Sequence, residues 1–395
     1  MRKVGLYLEA EPHFGGTFQY NQTMLDALAS LPCEQFSVVV GYTSDRWLPY
    51  LHNRDMQVLR IERGTVARAL GLFWTVAGLP MGLWRRLTPL FHPIARALLR
   101  EKCDLWIFPS YDLRSYQYPV PSLVSIHDLM YRYEKRFPES SSGWASWNRE
   151  RINSCNSRWS KGILVDSQLG REQMMQSYGT PAQRVHALPF IAPRYMHSTV
   201  VRDDFDSTYP SLPKKFLFYP AQFWWHKNHK HLIEAVAELK KQLPDLKLVL
   251  SGGRQNAYEA VVRQVQGLGL GDDVIFLGYV PDEDMPELYR RARALVMPTY
   301  YGPTNIPPLE AFAVGCPVAI SGIYAMPEQA GGAALHFHPD SSEEIACCIR
   351  RLWTDDALCA ELSEKGRQRA AQWGQEQFNA RLRAIVEAVL HDENG

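Results

Sequence analysis

The stretch Met297-Pro-Thr-Tyr-Tyr-Gly-Pro-Thr-Asn-Ile-Pro-Pro-Leu-Glu-Ala-Phe-Ala-Val-Gly-Cys-Pro-Val318 decides how this chain is read. It opens as the end of a buried strand and passes through a polar Gly/Pro turn. A helix begins near Pro307, and Gly-Cys-Pro leads out into another strand. A helix that starts from a polar turn presents unbonded backbone N–H groups and the positive end of its dipole, which suits a pyrophosphate. Pro303, Pro307 and Pro308 lack an N–H, so Thr304, Asn305, Ile306 and Leu309 are the residues that offer amides. Glu310 falls one turn into the helix, where a carboxylate accepts hydrogen bonds from ribose hydroxyls. The stretch points to a nucleoside-diphosphate binder.

Outward from it, short apolar runs alternate with longer helical ones. Residues 4–8, 36–41, 105–109, 123–127 and 162–165 read as buried strands, with helices at 20–30 and 146–160. The rhythm restarts after 210, with strands at 216–220, 247–251, 274–277, 294–298 and 317–320 and helices at 229–242, 257–268, 283–291 and 307–314. Alternating βα units imply parallel sheets with helices on both faces. The expected fold class is α/β, with two Rossmann-like doubly wound domains facing across a cleft. Residues 1–200 form the first domain and 210–374 the second, joined through the polar, proline-ended segment 197–213. The final helix, 375–391, carries Phe378, Leu382, Ile385, Val386 and Val389 at helical spacing and must pack on something.

Composition bounds the function. With 46% hydrophobic and 22% charged residues, the 395-residue chain is ordinary for a globular protein. Its net charge of +1 and lack of a recognised module argue against nucleic acid as a partner. Residues 1–200 hold 23 Lys+Arg against 16 Asp+Glu, so the first half is the basic one. Seven cysteines without a CxxC pair fit a reducing cytoplasm. No signal peptide and no apolar run of spanning length is expected.

In doubly wound sheets, ligands bind beyond the carboxyl ends of the strands, so the loops there carry the chemistry. The first strand leads to Gly15-Gly16, which lets backbone approach a ligand, although the GxGxxG fingerprint is absent. The strand at 123–127 ends in His127-Asp128, a histidine placed to meet a substrate hydroxyl or to stay structural. Gln222 and Lys227 follow the strand at 216–220, and Lys227 stands just before a helix, where it suits a phosphate. Gly252-Gly253 follows the next strand and reads as another close-approach turn, and Gly278-Tyr-Val280 follows the one after, with open backbone groups suited to a base edge; both read equally as plain turns. His226, His229 and His231 lack accompanying Cys or acidic ligands, so no metal is expected there. Asp204/Asp206 and Asp282/Asp284 have the Asp-x-Asp spacing of some metal-dependent sugar transferases, but they read better as linker and helix-capping acids.

From about 216 to 377 the chain resembles the family-four retaining glycosyltransferases, which have the GT-B fold. The resemblance rests on Lys227-Asn228, Leu250-Ser-Gly-Gly, Val274-Ile-Phe-Leu-Gly-Tyr-Val-Pro-Asp-Glu, Leu288-Tyr-Arg-Arg-Ala and Pro307-Pro-Leu-Glu-Ala-Phe-Ala-Val-Gly-Cys-Pro-Val. Gly15-Gly16, Ser125-Ile-His-Asp and Val165-Asp-Ser-Gln extend it more loosely into the first half. It implies sugar transfer from a nucleotide-diphosphate donor with retention and without a cofactor or catalytic metal. It further implies Lys227 on the donor phosphates, Glu310 on the ribose, His127 near the reacting sugar, and a last helix that crosses back to the first domain. Two positions depart from the family. Gln222 stands where an arginine usually meets the phosphates, and Gly302 where a first glutamate usually meets the donor sugar; Thr304 and Asn305 are the substitutes at hand.

Residues 60–100 hold seven arginines, one acid and an apolar, Trp-containing centre. That pattern suits either the interface of an anionic membrane, and hence a lipid-linked glycan acceptor at its inner face, or a helix with arginines on its wet side. The full expectation is a hexosyltransferase of mannose or rhamnose type acting in surface polysaccharide (O-antigen) biosynthesis. The alternatives are a non-catalytic partner subunit that binds nucleotide or glycan, and a nucleotide-sugar epimerase.

Overall fold

The computed structural model describes residues 1–395 except 12–14, 53, 63, 111–114, 142, 303 and 393–395, and except the side chains of 67, 68, 75 and 141. Arg63, Pro303 and the side chain of Arg68, all part of the sequence reading, lie outside the described residues. The chain divides into two compact units: Met1–Leu129 with Ser146–Pro189 and Gln375–Gly395, and Met130–Ala145 with Phe190–Gly374.

The first unit is built on seven parallel strands: β1 (Arg2–Leu8), β2 (Phe36–Tyr42), β3 (Gln57–Arg60), β4 (Leu105–Phe108), β5 (Ser122–Ser125), β6 (Gly162–Val165) and β7 (Val185–Ala187). Their order is β3-β2-β1-β4-β5-β6-β7. Val4 of the central strand pairs with Val38 on one side and Leu105 on the other. β4, β5 and β6 are buried throughout, as continuous short apolar runs in a parallel sheet must be. The helix Gln375–His391 belongs to this unit; Phe378, Leu382, Ile385, Val386 and Val389 are its buried stripe, and it packs on the helix Gly16–Ala29.

The second unit holds six parallel strands: β8 (Leu217–Pro220), β9 (Leu248–Ser251), β10 (Val274–Gly278), β11 (Ala294–Met297), β12 (Val318–Ser321) and β13 (Ala334–Phe337), in the order β10-β9-β8-β11-β12-β13. Both sheets reverse their direction of winding beside their first strand, and the crevice there is where such sheets take ligands. In the second unit that point lies between β8 and β11.

Three strands escaped the sequence reading. β3 and β7 are short edge strands without a continuous apolar run, and β13 is a four-residue edge broken by a histidine. Segment 197–213, read as a linker for its polarity, instead folds onto the second unit. Arg202 and the Tyr209 hydroxyl both donate to Asp284 Oδ2, at 3.3 and 2.8 Å, and Arg291 pairs with Asp206. Asp204, Asp206 and Asp284 are thus engaged in ion pairs, and Asp284 stands at the N-cap position of the helix Met285–Arg291 without a side-chain cap bond.

The apolar stretch after residue 60 folds into helices Thr65–Val76, Met81–Phe91 and Pro93–Arg100 of the first unit. Trp84 is buried against Tyr116 and Ile152, while Phe73 and Leu90 are 64% and 69% exposed. Several arginines have structural work. Arg85 donates to the Tyr116 carbonyl at 2.7 Å and lies over the Trp159 ring, and burial pushes its guanidinium down to about 10. Arg96 caps the preceding helix through the carbonyls of Pro89 and Leu90, and Arg60 pairs with Asp45. Arg86 and Arg100 are exposed. No helix among the described residues is long and apolar enough to cross a membrane.

Candidate functional site

Two loops leave the strands that flank the switch point of the second unit, and they meet. After β8 the chain forms a short 3-10 turn, Trp225–Lys227, ended by Asn228 in the left-handed region at φ 58°. Asn228 is buried. Its Nδ2 donates to the carbonyls of Pro298 (2.9 Å) and Pro339 (2.7 Å), and its Oδ1 accepts from His231 at 2.7 Å. After β11 the chain runs to Asn305, which opens the helix Ile306–Val314. The Lys227 ammonium donates to Asn305 Oδ1 at 3.3 Å. A cation from one loop therefore stands over the helix start supplied by the other.

That helix start is leaner in amides than the sequence suggests. Asn305 donates its backbone N–H to Gln329 Oε1 at 3.0 Å, and Gln329 Nε2 returns a bond to the Asn305 carbonyl at 2.6 Å. Leu309 stands four residues after the N-cap, where its N–H makes the first intrahelical bond. With prolines at the second and third helical positions, Ile306 is the helix-opening residue among those described whose N–H has no protein acceptor. Thr304 is buried just before it.

Gly302 has φ +89°, and a Cβ there would come within 2.6 Å of the Thr304 carbonyl and 2.7 Å of Asn305 Nδ2. A glutamate does not fit this backbone. The loop is built around glycine, and Asn305 Nδ2 bonds the Tyr301 carbonyl across it at 3.1 Å.

Glu310 is 5% exposed, and phenols hold both of its oxygens: Tyr195 donates to Oε1, and Tyr289 donates to Oε2 at 2.6 Å. Burial raises its pKa, and the two phenol bonds oppose that rise. Each carboxylate oxygen keeps a second lone-pair direction. Gln222 is exposed beyond β8, and Gly253 has open space where a Cβ would lie. Val280 is a core residue, with exposed Tyr279 beside it.

The three histidines near Lys227 diverge. His226 approaches Glu139, and His231 bonds Asn228. His229 stacks on Phe223 and is pushed down to about 3 by burial, with help from Lys227 and His226. Among the described residues, no three His, Cys, Asp or Glu side chains form a metal-holding group.

Sequence reasoning missed the segment Met130–Ala145. It lies between strands of the first unit in the chain yet folds with the second. Glu139 accepts the Trp225 N–H at 2.7 Å; burial pushes its pKa up, but bonding to His226 holds it below the ordinary carboxylate value. Phe137 packs on Tyr300 and Tyr301, and Arg136 pairs with Asp340 and Glu134. This segment braces both site loops, and nothing in its composition announced that role.

In the first unit, Gly15 caps the helix after β1 at φ 53°, Gly16 begins that helix, and both are exposed. His127 follows β5. Its Nε2 donates to the Pro109 carbonyl at 3.2 Å, and its ring meets Tyr20 edge-on at 4.9 Å. Burial lowers its pKa against the opposing pull of Asp128, so the ring is held neutral with Nδ1 as the acceptor.

Among solved structures, the Anabaena protein Alr3699/HepE in complex with UDP and glucose aligns with a TM-score of 0.74 at 17% identity, covering 98% of this chain and 100% of that one. WaaG, a glycosyltransferase involved in lipopolysaccharide biosynthesis, aligns with a TM-score of 0.68 at 16% identity, over 99% and 100%. At such identities the likeness fixes the fold, and the fold is GT-B.

Residues 201–369 match the family described as "Glycosyl transferases group 1". The O-antigen chain mannosyltransferase B of Escherichia coli is 29% identical over 227 residues, 55% of this chain and 58% of that protein. The mannosylfructose-phosphate synthase of Agrobacterium fabrum is 26% identical over 223 residues, 53% of this chain and 48% of that protein. The matches thus span about half the length of these curated relatives.

Proposed function

We propose that the protein is a retaining hexosyltransferase. It moves a sugar of mannose or rhamnose type from a nucleoside-diphosphate donor to a glycan or lipid-linked glycan, in surface polysaccharide assembly on the cytoplasmic side of the membrane. One observation carries the reading: the Lys227 ammonium sits on Asn305, beside the Ile306 amide, at the switch point of the second sheet. A diphosphate that takes the place of the Asn305 oxygen meets a full positive charge and a helix-opening N–H together. The mannosyltransferases among the relatives support the sugar class, and those matched to O-antigen chains support the pathway.

The chemistry follows from what the site holds. The acceptor hydroxyl attacks the anomeric carbon on the face from which the pyrophosphate departs. The C–O bond to phosphate breaks, the new C–O bond forms, and the departing phosphate oxygen takes the acceptor's proton. Lys227, the Ile306 N–H and Gln222 stabilise charge growing on the leaving group. Residue 302 carries no carboxylate, so no covalent intermediate forms through it. No step needs a metal. In the second unit Glu310 meets the ribose, and Gly253 and Val280 line the approach of the base; in the first unit His127, neutral with an acceptor nitrogen, suits a sugar hydroxyl.

A panel of GDP-, UDP- and dTDP-sugars tests the reading, scored for binding by thermal shift and for consumption with and without glycan acceptors. Acceptor-dependent consumption of one donor is the expected result. Binding without consumption points to a partner subunit, conversion without acceptor to an epimerase, and either outcome overturns the proposal.

The acceptor side extends it. The apolar side chains exposed on Thr65–Val76 and Met81–Phe91, with Arg86 and Arg100 nearby, suit an anionic lipid surface. The protein should float with phosphatidylglycerol-containing vesicles and fail to do so as the Leu83→Asp/Leu90→Asp double variant. Absence of binding by the unaltered protein defeats this extension.

A further inference from the structure

Gln222 occupies the place of a phosphate-binding arginine, yet it brings no charge. Gln222 Oε1 accepts a hydrogen bond from Trp224 Nε1 at 2.8 Å. An indole N–H only donates, so this contact settles which end of the amide faces the ring. The oxygen is turned toward Trp224, and Nε2 points its two N–H groups the other way. The Gln222 side chain is exposed, and its Nε2 donates to no described group.

The backbone beneath is held as firmly. The Ala221 N–H donates to the Ser251 carbonyl at 2.8 Å, the Phe223 N–H to the Gly253 carbonyl at 3.1 Å, and the Trp224 N–H to the Gln222 carbonyl at 2.9 Å. Gly252, at φ +141°, lies so close that a Cβ would come within 2.3 Å of the Ala221 oxygen and 2.8 Å of the Gln222 nitrogen. The indole is fixed in turn. It is nearly parallel to the His226 ring (14°, centroids 6.4 Å), which stacks on Tyr301 at 4.1 Å in the loop that leads to Asn305.

We propose that Trp224 is a positioning residue for the donor site: its indole N–H locks the Gln222 amide so that Nε2 donates to an oxygen of the donor diphosphate. The inference rests on the donor reading above and deepens it. The chain replaces a charged contact by an oriented neutral one, and the orientation comes from a side chain two residues away.

The test is a double-mutant cycle read by calorimetric titration with GDP and with UDP. Trp224→Phe keeps a ring and removes the N–H; Gln222→Ala removes the amide. A net neutral hydrogen bond corresponds to about a three- to ten-fold change in affinity. Each single variant should weaken binding by about that factor, and the double variant should be no weaker than Gln222→Ala alone, because Trp224 acts through Gln222. Gln222→Arg in the Trp224→Phe background should restore affinity, since a guanidinium needs no partner to donate. Unchanged affinity in Trp224→Phe, or a loss that persists in full on top of Gln222→Ala, overturns the proposal while leaving the donor reading intact. If neither nucleotide binds the unaltered protein, the donor reading falls and takes this inference with it.

Discussion

Lys227→Ala should lower sugar transfer by about 10²–10³-fold, the usual cost of removing one preorganised donor to a developing negative charge. The loss should fall mainly on kcat, because charge on the leaving diphosphate grows toward the transition state. The fold should survive. The Lys227 backbone carbonyl keeps its bond from the Tyr219 hydroxyl at 2.9 Å, and Asn228 holds the turn through its own side chain. Lys227→Arg should retain more activity than Lys227→Ala, as it keeps the charge but alters the reach. Steady-state kinetics on the folded variants decides, and unchanged turnover in Lys227→Ala removes this residue from the mechanism.

Gly302→Glu should fail to recreate the family's missing acid. Left-handed backbone at a non-glycine residue costs about 1–3 kcal/mol. Here φ is +89°, and the added Cβ also meets the Thr304 carbonyl at 2.6 Å. The loop must shift, and Asn305 shifts with it, since its Nδ2 is the second atom in the way. The expected result is a fall in Tm, about 2–4 °C for each kcal/mol in a unit of this size, with weaker nucleotide binding. Gly302→Ala should lie between, because it adds the clash without the long charged arm. A Gly302→Glu variant with unaltered Tm and higher activity would mean that the loop has room for a carboxylate after all.

The fold was legible because its central strands are buried on both faces. Leu105–Phe108, Leu248–Ser251 and Ala294–Met297 are apolar runs that announce themselves. The edge strands Gln57–Arg60 and Ala334–Phe337 were not, because polar residues break them, whereas the edge strand Val274–Gly278 keeps an unbroken apolar run. The proximity of Lys227 and Asn305 was foreshadowed by their common place after neighbouring strands. What the sequence hid were partners distant in the chain. Gln329 occupies the Asn305 amide, and Tyr195 donates to Glu310 from 115 positions away. Segment Met130–Ala145 braces loops in a different sheet from the strands that bracket it. Local pattern cannot reveal such pairings, because each depends on where the chain returns in space rather than on periodicity.

The most direct measurement is a crystal structure with the bound nucleoside diphosphate, GDP or UDP. The account predicts phosphate oxygens within hydrogen-bond distance of both Lys227 Nζ and the Ile306 N–H, with the ammonium drawn off Asn305. A diphosphate bound elsewhere on the chain, with Lys227 still resting on Asn305, would contradict it.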